Sequence, residues 1–237
     1  MSAGLPAEDI PRLTVAIDGP SGAGKGTVGR RLAHRLHYGY IDTGAMYRAV
    51  ALVAERQDIP LTDAALVGEL AQGLPITFAP GDPPRVLVDG EDVTRLIRSE
   101  VCGNGASVVS QHKEVRAALV ERQRHLGAEG GVVMDGRDIG TVVFPHAEVK
   151  IYLTASSECR VDRRIAQLEA RGVPVDPERV RIELEDRDRR DMSRESSPLK
   201  KADDAVEIDT SGLGVEGVVD QILALVFAAG RRTKSRA

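Results

Sequence analysis

The chain of 237 residues has no tryptophan, only two cysteines, few aromatics of any kind and no excess of positive charge. A formal net charge of -4 without tryptophan leaves no basic footprint for a polynucleotide, whose binders usually carry a strongly positive face. An anionic ligand must therefore be met by arginines gathered locally. Cys102 and Cys159 lie far apart and form no CxxC pair, so neither a disulfide framework nor a metal cluster is indicated, and a reducing compartment fits. Nowhere do 18 uncharged apolar residues run together, and the start, "MSAGLPAEDIPRL", carries acids and prolines in place of an apolar core. The expectation is a soluble, untargeted, cytoplasmic protein with neither membrane nor nucleic acid as partner.

What is present is a series of short β-rich runs: "LTVAID" (13–18), "YIDT" (40–43), "GVVMDG" (131–136), "VKIYLT" (149–154) and "AVEIDT" (205–210). Each ends in Asp, Gly or Thr. Segments long enough for helices separate them, which predicts an α/β layer fold with a parallel sheet covered on both sides. The length and spacing predict one domain over 1–237. Between the second and third runs, "PITFAPGDPPRVLVDGEDVTRLIR" (75–98) reads as small antiparallel strands of an inserted subdomain, bounded at 66–100. Residues 157–195 read as charged helix interrupted by "RGVPVDPE". The end, 228–237, reads as a disordered tail.

The stretch "DGPSGAGKGT" (18–27) places Gly19, Gly24 and Lys25 in the phosphate-binding pattern GxxxxGK, after a predicted strand and before a predicted helix. Successive backbone N–H groups and a helix N-terminus make a concave anion site there, with the lysine as a point charge. Gly26 stands where a hydroxyl usually binds magnesium, and Thr27 comes one position late. Asp18 reads as either a structural or a metal-shell residue. Asp135, at the end of an apolar strand, stands where phosphate-loop kinases keep a carboxylate for magnesium, directly or through water.

The sequence GKGT resembles the nucleoside monophosphate kinases. Together, "DGPSGAGKGT", "IDTGAMYRA", "DGRDIGTVVFP" and "RDRRDMSRESSPL", in this order, resemble the bacterial cytidylate kinases, over residues 13–226. The resemblance implies a P-loop kinase fold with a five-stranded parallel sheet, an NMP-binding insert at 66–100 and a helical lid and acceptor-binding segment at 157–195. It implies an enzyme that uses Mg²⁺ with ATP to phosphorylate CMP and dCMP, and a monomer is the expectation. ATP would lie along Gly19, Pro20, Ser21, Gly22, Ala23, Gly24, Lys25, Gly26 and Thr27, with the lid arginines Arg160 and Arg164 over its adenine and phosphates.

Lys25, Asp135, Arg137 and Arg164 would surround the transferring group. The acceptor would meet Thr43, Arg48, Arg137, Arg187, Asp191 and Arg194, and the set Ser107, Arg116 and Asp138 would read cytosine. No residue is assigned as a certain direct ligand of the metal. Read without the resemblance, Thr43 serves equally as a helix N-cap, and Tyr47 as core. Rival readings are a phosphate-loop kinase for UMP or a shikimate-like hydroxyl, and a nucleotide-gated binding module. A hydroxyl acceptor would not need so many arginines on its side.

Overall fold

The structure is a computed structural model that describes residues 12–234; the acidic start of the chain and residues 235–237 lie outside the described residues. Five strands, β1 (Thr14–Asp18), β2 (Gly39–Asp42), β6 (Val132–Asp135), β7 (Val149–Thr154) and β8 (Val206–Asp209), form one sheet in the order β2-β6-β1-β7-β8. All four pairings are parallel. The five runs read from the sequence are these five strands. β1 is central and buried at every position, which is why its sequence shows no polar alternation.

Helix α1 (Lys25–Leu36) follows β1, and α2 (Thr43–Arg56) follows β2. The intervening segment holds α3 (Ala64–Gly73), a separate antiparallel sheet of β3 (Ile76–Ala79), β4 (Arg85–Val88) and β5 (Glu91–Asp92), then α4 (Glu100–Val109) and α5 (Lys113–Leu126). Beyond β7 come α6 (Ser157–Glu169) and α7 (Pro177–Ser193), and α8 (Val215–Lys234) follows β8.

Each face of the parallel sheet has its own core. On one side Val15, Ile17 and Ile151 pack with Leu32 and Leu36 of α1 and Ile222 and Val226 of α8. On the other, Ala16 and Met134 pack with Val120 of α5 and with Ile139 and Val143 from the turn after β6. A third core, including Met46, Val67, Val86, Ile97 and Leu119, joins α2, α3, α4 and α5 to the small sheet. Leu168, Val180 and Leu184 hold α6 to α7.

Two expectations are corrected here. The chain from 228 is not a disordered tail as far as it is described: α8 runs to Lys234. Its apolar stripe Val218, Val219, Ile222, Val226 and Ala229 is buried, and the basic residues that follow suit the negative end of a helix dipole. Thr43 does not cap α2. Asp42 does, accepting from Ala45 N at 3.0 Å, and the Thr43 hydroxyl instead donates to the Asp135 carbonyl at 2.7 Å. No helix among the described residues is long and apolar enough to cross a membrane.

Candidate active site

In an open parallel sheet, ligands gather beyond the carboxyl ends of the strands, where the connections diverge. Here β1 ends in Asp18, β2 in Asp42 and β6 in Asp135, with Asp42 and Asp135 in register on neighbouring strands. A cleft of about 1360 Å³ opens above them. That is more than a single drug-sized ligand needs and leaves room for two nucleotides. Twelve basic and six acidic side chains line it, so a chain of net charge -4 concentrates positive charge here.

The loop between β1 and α1 floors one end. Gly19 is at φ 146, and a Cβ there would lie 2.1 Å from the Leu153 carbonyl of β7, so only glycine lets β1 turn beside its neighbour. The N-cap of α1 is Gly24 at φ 90, with no side chain capping the helix and no acid in its first turn. The first-turn amides are thereby left to an external anion. Lys25 is buried, its Nζ donating to Gly19 O at 2.8 Å and Pro20 O at 2.7 Å. Burial first, then the nearby charge of Arg137, pulls its ammonium down to about 7.

Asp135 faces Lys25 across this floor. Its Oδ2 accepts from the Tyr40 hydroxyl at 2.8 Å, and burial, then the charge of Asp42, raises its carboxyl to about 6. A carboxylate so placed stands to gain from a cation. A Cβ at Gly26 would come 3.6 Å from Asp135 Oδ2, so glycine at this position keeps open the space beside the carboxylate. No group of three or more His, Cys, Asp or Glu that could hold a metal occurs among the described residues. The buried Asp135 carboxylate, with space kept open beside it at Gly26, is an oxygen donor of the kind a magnesium ion takes. Asp18 has a structural role: its two oxygens accept from Ile139 N and Gly140 N, both at 2.8 Å, and fix the turn that carries Asp138.

The opposite end of the cleft is closed by α2, α4, α5 and α7. Asp138 is ion-paired with Arg116, both buried, and its other oxygen lies 3.6 Å from Arg194. Arg116 lies over the Tyr47 ring, 5.6 Å from its centroid. The buried Ser107 hydroxyl accepts from Arg190 Nε at 3.0 Å. Arg48 sits 3.7 Å from Asp42, which also accepts from Arg98 at 2.8 Å. Between the two ends, Arg137 Nε donates to Asp191 at 2.9 Å. Arg187 Nε is buried with no hydrogen-bond partner among the described residues, and burial, then Arg137 and Arg48, holds its guanidinium down to about 9. Asp191 offsets part of this crowding, and a buried guanidinium pressed by other cations, with its Nε left without such a partner, is a seat for an anion.

Most residues singled out in the sequence thus line one cleft: Ser21 to Thr27, Thr43, Arg48, Ser107, Arg116, Asp135, Arg137, Asp138, Arg164, Arg187, Asp191 and Arg194. Gly19 and Pro20 underlie it. Arg160 departs from expectation. It is spent on Asp188 and the Ser21 carbonyl, outside the cleft wall, and Arg163 lines the cavity beside Arg164 instead. Arg163, Arg98, Tyr40 and Tyr47 are cleft residues that sequence reasoning missed or set aside. Tyr40 adjoins the "IDT" stretch, and Arg98 ends the strand-rich insert; only position in the sequence marked them.

Residues 15–228 match the family described as cytidylate kinase. The chain is 54% identical over 209 residues to the cytidylate kinase of Geobacter sp. strain M21, covering 88% of this chain and 90% of that one. It is 51% identical over 215 residues to the cytidylate kinase of Geobacillus sp. strain WCH70, covering 90% and 96%. Among solved structures, a gluconokinase from Sinorhizobium meliloti 1021 matches with a TM-score of 0.50 at 15% identity, over 95% of this chain and 98% of that one. That likeness is one of fold alone.

Proposed function

The chain belongs to the cytidylate kinase family, and from that premise we propose how its cleft phosphorylates CMP and dCMP at the expense of ATP, giving the diphosphate and ADP. ATP lies along the loop from Ser21 to Thr27, its phosphates on the free amides of α1 and on Lys25. The acceptor lies at the closed end, its base toward Ser107, Arg116 and Asp138 and its phosphate toward Arg48, Arg187 and Arg194. The observation that carries this reading is the pairing of a phosphate loop with a second, arginine-lined end holding a buried carboxylate and guanidinium for a base.

An α-phosphate oxygen of the acceptor forms a bond to the γ-phosphorus of ATP as the bond from that phosphorus to the β,γ-bridging oxygen breaks, and ADP leaves. No general base is required, since the attacking oxygen is already ionised at neutral pH. Positioning and charge stabilisation carry the reaction. Arg137, Arg164 and Arg187 converge on the middle of the cleft, where two polyanions must meet. Magnesium bound with ATP would neutralise further phosphate charge, and Asp135 would hold it, directly or through water. The helices α6 and α7 act as the lid, and residues 66–100 as the acceptor-binding insert.

Arg48→Ala is expected to raise the CMP KM by roughly ten- to a hundred-fold, the loss of a charged hydrogen bond of about 1.5–3 kcal/mol. The ATP KM should stay nearly unchanged, because Arg48 stands at the acceptor end. Steady-state kinetics with each substrate varied in turn check this; equal rises in both constants would contradict the placement.

A further inference from the structure

The peptide of Ser21, at the crest of the phosphate loop, is gripped from both sides. Its N–H donates to Asp188 Oδ1 at 3.1 Å, and its carbonyl accepts from Arg160 Nη1 at 3.1 Å. Arg160 and Asp188 are themselves ion-paired, with side chains only 12% and 10% exposed. One residue comes from α6, the other from α7, so three segments remote in sequence close a single ring. Neither side chain lines the cleft. The same region is tightened at Gly22, at φ 78, where a Cβ would lie 2.9 Å from the Arg160 Cβ. Arg163 adds a bond from its Nη2 to the Thr210 carbonyl at 2.7 Å.

We propose that Asp188 and Arg160 are positioning residues for the phosphoryl donor, acting through the Ser21 peptide; this rests on the donor reading given above. A glycine-rich loop is costly to order, because each residue fixed gives up backbone freedom. A loop held in place before ATP arrives does not draw that cost from binding. Burying an ion pair is itself expensive, and apolar side chains of similar size would pack α6 on α7 at least as well. What a carboxylate and a guanidinium do that apolar groups cannot is hold an N–H and a C=O of one peptide together. The carboxylate also takes the Ser21 amide for itself, so the donors offered to phosphate begin at Gly22.

The test uses Asp188→Ala, Asp188→Asn, Arg160→Met and the double variant Asp188→Ala/Arg160→Met in the full chain. ADP release gives the KM for each substrate, calorimetry gives ATP binding without any acceptor, and melting curves report the fold. Each alanine or methionine variant should raise the ATP KM and the ATP Kd about ten-fold, with the CMP KM within about two-fold. Asp188→Asn, which keeps an acceptor for Ser21 N–H, should fall between Asp188→Ala and the unaltered chain. The double variant should be no worse than the worse single, because both residues act on one peptide.

Unchanged ATP constants, a CMP KM rising in step, or multiplicative effects would overturn the proposal. So would loss of cooperative melting even in Asp188→Asn, since the pair would then be a general stability element. Calorimetry separates this inference from the functional reading. If the unaltered chain binds ATP but CMP elicits no ADP, the functional reading fails while the ATP Kd still judges the clasp.

Discussion

Lys25→Met should lower kcat by at least about 100- to 1000-fold, the scale on which a single charge-stabilising donor acts in a water-poor site. The protein should fold as before. Among the described residues Lys25 Nζ bonds only to Gly19 O and Pro20 O of its own loop, and methionine matches the aliphatic stem. The ammonium therefore has its main use when phosphate displaces those carbonyls. The same burial gives a pH signature. With its ammonium held down to about 7 by burial and by Arg137, among Asp135, Arg187 and Asp191, the free enzyme loses this charge as pH rises through neutrality. Thus kcat/KM for ATP, which reports the free enzyme, should fall above about pH 7. The kcat itself should hold to higher pH, because bound phosphates keep the ammonium charged. Near-normal kcat in a folded Lys25→Met variant would remove Lys25 from the chemistry.

Asp138→Asn should cut the preference for CMP over UMP in kcat/KM by roughly ten-fold or more, at about 1.4 kcal/mol per decade. Cytosine presents an amine and a ring-nitrogen acceptor where uracil presents a carbonyl and an N–H. An ionised carboxylate only accepts, so Asp138 suits the amine and meets the uracil carbonyl unpaired. Arg116 only donates, with the same preference. The structure supplies the setting this argument needs: both side chains are buried, paired to each other, and Asp138 is backed by Arg194. An unpaired polar group there costs about 1–3 kcal/mol. Asparagine can turn its NH₂ toward the uracil carbonyl. It also loses the ion pair to Arg116, so the ratio of the two acceptors, measured at saturating ATP, is the informative quantity. An unchanged ratio would mean that Asp138 does not read the base.

The inner strands of the sheet were legible because they are buried on both faces. "LTVAID" and "GVVMDG" are apolar without alternation, and β1 and β6 are buried at every position. Strand order was not legible, since nothing local in "AVEIDT" says that β8 lies at the edge beside β7. The phosphate loop was legible because its glycines answer a steric demand, a carbonyl 2.1 Å from where a Cβ of Gly19 would sit. Which of Asp42 and Thr43 caps α2 was not, because both side chains can cap and only the carbonyl of Asp135, 92 residues away, claims the Thr43 hydroxyl.

The arginines of α6 show the limit most clearly. Arg160, Arg163 and Arg164 crowd one stretch of α6, and the sequence offers no reason why Asp188 should claim the first and leave the last two to the cleft. Tyr47 looked like core and is buried, yet its ring carries Arg116. The charged end of α8 looked like a tail because its apolar partners lie a turn or more upstream.

The most direct test of the account is ADP release from ATP and magnesium by the full chain, with no acceptor and then with AMP, CMP, dCMP, UMP or GMP in turn. The account predicts that ATP is spared without an acceptor, consumed rapidly with CMP and dCMP, and consumed far more slowly with the other three. Steady ATP hydrolysis with no acceptor, or equal turnover with UMP and CMP, would contradict it.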